Sequence, residues 1–146
     1  PAYKGIPLAA ATSIAMAKEY QVEMPYVFNR KEAKDYGEGG TLVGATIKGQ
    51  VVIVDDVITA GTAIREVMSL LDSYPNAQAT AVIVAIDRQE KGKGELSAIQ
   101  EVERDFGLAV LSVLSLDDIV AYLSRQPGCE RELSSIEDYR VKYGIG

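Results

Sequence analysis

Val51-Val52-Ile53-Val54-Asp55-Asp56-Val57-Ile58-Thr59-Ala60-Gly61-Thr62-Ala63 decides how the rest of the chain is read. An unbroken β-branched run, Val51–Val54, has the character of a strand buried on both faces. It ends in two adjacent carboxylates, and a turn of small and hydroxyl residues then opens a helix. That turn aims backbone N–H groups and the Thr59 and Thr62 hydroxyls at one spot, at the positive end of the helix. This is a physical recipe for cradling a phosphate. Asp55 and Asp56, one step earlier, could accept hydrogen bonds from sugar hydroxyls or bind a hydrated Mg²⁺. Anion donors beside diol acceptors suit a phosphorylated ribose. An isolated Asp-Asp pair would more simply end a strand at the surface, and Thr62 alone would be a helix cap. The string as a unit favours the phosphate site. It is not a Walker A loop, because no Gly-Lys-Ser/Thr follows the turn. Nor does Gly37-Glu38-Gly39-Gly40-Thr41-Leu42 form a dinucleotide fingerprint, since Leu42 stands at the last glycine position.

On either side of this string the apolar period alternates between helix-like and strand-like. The Ala-rich stretch from Leu8 to Tyr20 reads as a buried helix, and Pro25–Asn29 as a short strand. Arg30 to Thr41 has no apolar periodicity and contains Gly37, Gly39 and Gly40, so it reads as a mobile loop. Downstream, helices are expected over Thr62–Ser73, Glu95–Phe106 closed by Gly107, Leu116–Arg125 capped by Ser115, and Glu130–Tyr143. Strands are expected at Ala81–Ile86 and Val110–Leu114. The alternation gives an α/β fold with a mostly parallel sheet flanked by helices. Ligands of such sheets lie beyond the carboxyl ends of the strands, where Asp55 and Asp56 fall.

Composition narrows the chemistry. The 146 residues include 15 Lys+Arg and 21 Asp+Glu, a net charge of −6 that argues against a general nucleic-acid or anionic-membrane binder. There is no histidine, which excludes Ser-His-Asp and Cys-His nucleophile systems and imidazole zinc sites within the chain. The single Cys129 excludes an internal disulfide and fits a reducing cytoplasm. No apolar run approaches the roughly 20 residues of a membrane-spanning helix, and no signal peptide is visible. Without repeats or linkers, residues 1–146 read as one domain. The chain opens Pro1-Ala2-Tyr3-Lys4-Gly5 without an initiator Met, so a preceding segment is expected.

The string 51–63 resembles the phosphoribosyl-diphosphate (PRPP) motif of type I phosphoribosyltransferases. Ala2-Tyr3-Lys4-Gly5-Ile6-Pro7, Phe28-Asn29-Arg30-Lys31-Glu32-Ala33-Lys34-Asp35 and Asp87-Arg88-Gln89-Glu90 narrow the match. In that order they are similar to the orotate phosphoribosyltransferase family, over essentially the whole chain. The resemblance implies that family's Rossmann-like fold with a flexible loop, and Mg²⁺-dependent transfer of a phosphoribosyl group from PRPP to orotate. It implies that Asp55 and Asp56 hold the ribose hydroxyls and that Val57, Ile58 and Thr59–Ala63 cradle the 5-phosphate. Lys4 would lie near the pyrophosphate, and Tyr3, Lys4, Thr59 and Arg88 would contact orotate, the Arg88 fork suiting its carboxylate. Arg30, Lys31 and Lys34 would compensate the departing pyrophosphate as the loop closes, hinged by the glycines. Lys31 would reach the neighbouring subunit's site, which makes a homodimer the expected assembly. Catalysis would fall to Lys31, Lys34, Asp55 and Asp56, with the metal held mainly by PRPP and water. Tyr36, which the resemblance also sets among the PRPP-binding residues, stands where the family's loop usually has a histidine; it keeps a hydrogen-bonding tip but cannot carry positive charge near neutral pH. The implied preceding segment would carry another PRPP-contacting lysine and some orotate contacts.

Two other readings compete. A non-catalytic regulator of the same fold would bind PRPP without turnover, and it gives no reason for Asp87-Arg88-Gln89-Glu90. A phospho-acceptor receiver domain would use Asp55-Asp56 with Asp87, but receivers carry their acidic pair near the domain start and lack the Thr-Ala-Gly-Thr turn. Tyr139 and Tyr143 read as packing residues and Cys129 as incidental. The acidic stretches Glu101–Asp105 and Asp117-Asp118 read as solvated faces.

Overall fold

The computed structural model describes residues 1–34 and 40–145, with the side chains of 31–34 outside that description. The elements run α1 (Gly5–Tyr20), β1 (Val27–Lys34), β2 (Gly40–Gly44), β3 (Gly49–Asp55), α2 (Thr62–Leu71), β4 (Ala77–Asp87), α3 (Ala98–Phe106), β5 (Ala109–Ser115), α4 (Leu116–Leu123) and α5 (Glu130–Tyr143). β1 and β2 form an antiparallel ribbon, while β3, β4 and β5 form a three-stranded parallel sheet in that order. The expected α/β architecture is therefore present.

The chain gathers into two compact units. One comprises Pro1–Asp56 and Ala63–Thr80, hence α1, the ribbon, β3, the body of α2 and the start of β4. Its buried residues include Ile47, Ile53, Ile64 and Leu71. Thr80 Oγ1 donates to the Val51 carbonyl at 3.3 Å, tying the start of β4 to β3. The other unit comprises Val57–Thr62 and Ala81–Gly146. Here β4 and β5 run parallel with Ala81 opposite Ala109 and Asp87 opposite Ser115. Ile58, Val82, Val84, Val102, Leu108 and Leu116 are buried within it.

Local chemistry explains the helix ends. Ser97 Oγ accepts from the Gln100 N–H while the Gln100 side chain takes the Ser97 N–H, a reciprocal cap that starts α3 at Ala98 rather than at Glu95. Gly107 closes α3 in the left-handed conformation at φ 65°. Ser115 and Asp118 make the same reciprocal cap at the start of α4.

Three expectations need correction. β1 extends to Lys34 and β2 begins at Gly40, so both flanks of the expected loop are strand. Such a ribbon is held by main-chain hydrogen bonds, which leave no apolar signature. The proposed hinges Gly37 and Gly39 lie outside the described residues. α1 is not a buried helix: only Gly5 is buried, and Ile14 and Tyr20 are exposed. Alanine favours helix wherever it sits, so an Ala-rich run reports helix and not burial. β3, finally, is not covered on both faces, since Ile53 is buried but Val52 is exposed. A β-branched run reports strand propensity, while coverage depends on the layers packed around it.

Candidate active site

The apolar β3 ends in Asp55, which is buried, and Asp56, which is partly exposed. The Asp56 backbone N–H donates to Asp55 Oδ1 at 2.9 Å, fixing the first carboxylate beneath the second. Burial pushes the Asp55 carboxyl above the usual carboxylate range, with the Asp56 N–H opposing it. Helix α1 packs on β3, and its first residue lies against that strand's end. A Cβ built on Gly5 would stand 2.5 Å from the Val54 carbonyl oxygen and 3.5 Å from Asp55 Oδ1. Only glycine permits that approach, which brings Lys4 Nζ to 3.0 Å from Asp56 Oδ2. The Ala2 N–H donates to Asn29 Oδ1 at 3.0 Å, tying the Tyr3-Lys4 segment to β1, where Arg30 follows. Tyr3, Lys4, Arg30, Asp55 and Asp56 thus belong to one unit, with Lys4 and Asp56 in contact.

The turn from Val57 to Thr62 belongs to the other unit, and Ala63 is the second residue of α2. Ile58 is a buried anchor, while Thr59 and Thr62 are exposed. Gly61 adopts φ 68°, the left-handed region that a side chain disfavours. Arg88 follows the end of β4 in that same unit. Its Nη2 lies 3.0 Å from Glu90 Oε1 and 3.2 Å from Oε2, and its Nε is buried without a hydrogen-bond partner. Lys31 and Lys34 fall on β1 with side chains outside the described structure, and Tyr36 lies outside the described residues.

Several residues of consequence carry no distinctive local pattern in the sequence. Glu101 is not on a solvated face: it is buried and accepts the Gly94 N–H at 2.7 Å. Asp117 accepts from Gln89 Nε2 at 2.7 Å and pairs with Arg140, and these bonds hold its carboxyl below the usual range. Tyr139 does pack on Tyr143, with ring centroids 5.0 Å apart, yet its hydroxyl also donates to Glu90 Oε1. The Gln89–Asp117, Asp117–Arg140 and Glu90–Tyr139 contacts join positions distant in sequence, which no local motif announces. Gly5 alone had a local signal, as a glycine opening a helix.

Among the described residues no group of three or more His, Cys, Asp or Glu could hold a metal ion. Nor is any helix among them long and apolar enough to cross a membrane.

A family model described as phosphoribosyl transferase domain matches residues 1–113. The orotate phosphoribosyltransferase of Pseudomonas aeruginosa is 59% identical over 145 residues, which is 99% of this chain and 68% of that protein. A solved orotate phosphoribosyltransferase from Francisella tularensis is 41% identical with a TM-score of 0.79, over 99% of this chain and 68% of that one. The Mycobacterium tuberculosis orotate phosphoribosyltransferase, solved in complex with PRPP, is 25% identical with a TM-score of 0.51, over 67% of this chain and 51% of that one.

Proposed function

Because the chain belongs to the phosphoribosyl transferase domain family, among the orotate phosphoribosyltransferases, we propose how its own residues carry that reaction. The enzyme is a pentosyltransferase of pyrimidine biosynthesis, joining orotate to PRPP to give orotidine 5′-monophosphate and pyrophosphate. The observation that carries this reading is the identity with orotate phosphoribosyltransferases over nearly the whole chain. A receiver domain is thereby set aside, since the family match spans the Asp55-Asp56 string.

In the reaction the bond from ribose C1 to the pyrophosphate oxygen breaks, the bond from C1 to the orotate ring nitrogen forms, and C1 gains oxocarbenium character between them. Asp56, the more accessible carboxylate, accepts the ribose hydroxyls, and Asp55 sets its backbone and shares that role. The N–H groups from Val57 to Ala63, with the Thr59 and Thr62 hydroxyls, hold the 5-phosphate and so fix where C1 sits. Lys4, presented beside Asp56, offers positive charge to the pyrophosphate, joined by Arg30, Lys31 and Lys34 from β1. Tyr3, Lys4 and Thr59 border the orotate, while the Arg88 guanidinium takes its carboxylate. Asp55 and Asp56 offer hard oxygen acceptors beside the ribose, which would suit the water shell of a Mg²⁺ held mainly by PRPP and water. When bound, it supplies charge compensation on the pyrophosphate.

Residues 1–146 act in this reading as one catalytic core in a cytoplasmic homodimer, with Lys31 of β1 serving the partner's site. The test is steady-state turnover of orotate with PRPP and Mg²⁺, in which Asp56→Asn should lower kcat/KM by about 10- to 100-fold. An unchanged kcat/KM in that variant contradicts the ribose assignment.

A further inference from the structure

The turn after β4 is held from outside itself. Gln89 sits at φ 55°, a conformation side chains rarely adopt, and each of its polar groups is engaged. Its N–H donates to Asp87 Oδ1 at 2.8 Å and its carbonyl accepts the Ile145 N–H at 3.2 Å. Its side chain donates to Asp117 at 2.7 Å and accepts from Arg140 Nη2 at 3.3 Å, while Arg140 also pairs with Asp117. The next residue, Glu90, is mostly buried and grips the Arg88 guanidinium on one side and the Tyr139 hydroxyl on the other. Helix α5 thus reaches Arg88 by a relay of hydrogen bonds.

An arginine free to choose among rotamers gives up side-chain freedom when it is fixed. Here Glu90 fixes it beforehand, and Tyr139 fixes Glu90. The buried Arg88 Nε–H has no acceptor of its own. A buried charge-bearing donor without a partner is costly, so the Glu90 contact at Nη2 is what anchors the guanidinium. We propose that Tyr139, acting through Glu90, is a positioning residue that sets the enzyme's selectivity for a carboxylate-bearing pyrimidine by aiming the Arg88 guanidinium. This rests on the reading that Arg88 takes the orotate carboxylate.

The test is a double-mutant cycle on the enzyme, with orotate and PRPP varied in turn and the melting temperature recorded alongside. Arg88→Ala tests the underlying reading and should raise the orotate KM by more than about tenfold. Tyr139→Phe keeps the ring contact with Tyr143, so the melting temperature and the PRPP KM should stay as they are. Its orotate KM should rise by about three- to tenfold. In the Arg88→Ala background the same change should add less than about twofold, because the two act in series. Should Tyr139→Phe destabilise the fold, Glu90→Gln takes its place with the same expected split between the two KM values. An unchanged orotate KM in Arg88→Ala overturns the carboxylate reading and the proposal with it. A raised KM in Arg88→Ala alongside an unchanged one in Tyr139→Phe, or full multiplication of the two effects, overturns the positioning role alone.

Discussion

Asp55 shows what a single functional side chain costs the fold. It is buried beneath Asp56, and burial raises its pKa in the folded protein. The folded state therefore holds the Asp55 proton more tightly than the unfolded chain does. Ionisation then opposes folding, and the penalty grows as pH rises from about 4, the ordinary carboxylate value, through the folded pKa. Asn in its place keeps an acceptor for the Asp56 N–H and removes the charge. Asp55→Asn should melt higher than wild type at pH 7, with the difference shrinking toward pH 4, while turnover falls. A melting difference that does not change with pH contradicts the assignment. The Asp-Asp pair was legible in the sequence because strand, carboxylates and turn are consecutive. The Glu90–Tyr139 contact was not, because its partners stand 49 positions apart.

Elements are positioned by small chemical devices, and some of these can be read in advance. Ser115 is legible as a cap because serine favours the position just before a helical run, and the structure adds the reciprocal bond from Asp118. Ser115→Ala should lower stability by about 1 kcal/mol, measured as a shift of the urea midpoint at unchanged slope. Gly5 acts differently, since the start of α1 touches the end of β3 only because no Cβ intervenes. Gly5→Ala should cost about 1–3 kcal/mol by overpacking, and displacing Lys4 from Asp56 should raise the PRPP KM more than the orotate KM. Equal changes in both KM values would show that Gly5 serves packing alone. The β1–β2 ribbon escaped the sequence reading because its pairing is written in the main chain. The burial of α1 was overestimated because alanine signals helix and apolar surface at once.

For the molecule as a whole, period and alternation were enough to reach the α/β class, since every strand of the parallel sheet is a distinct apolar run. Function was legible because four short motifs occur in the family's order, although any one of the three outside the central string would be weak alone. The proposed sharing of the site between subunits is a matter of the whole assembly, and mixing tests it. Lys31→Ala and Asp56→Asn chains, each impaired alone, should regain part of the lost turnover when combined, because some sites then receive an intact residue from each subunit. Mixtures no more active than their parents contradict a shared site. The central claim is that these residues turn PRPP over on orotate and do not merely hold it. Following orotate consumption and pyrophosphate release together, with PRPP and Mg²⁺ present, tests it most directly. Orotate loss should be matched one for one by pyrophosphate and depend strictly on PRPP. PRPP bound tightly with no orotate consumed would contradict it.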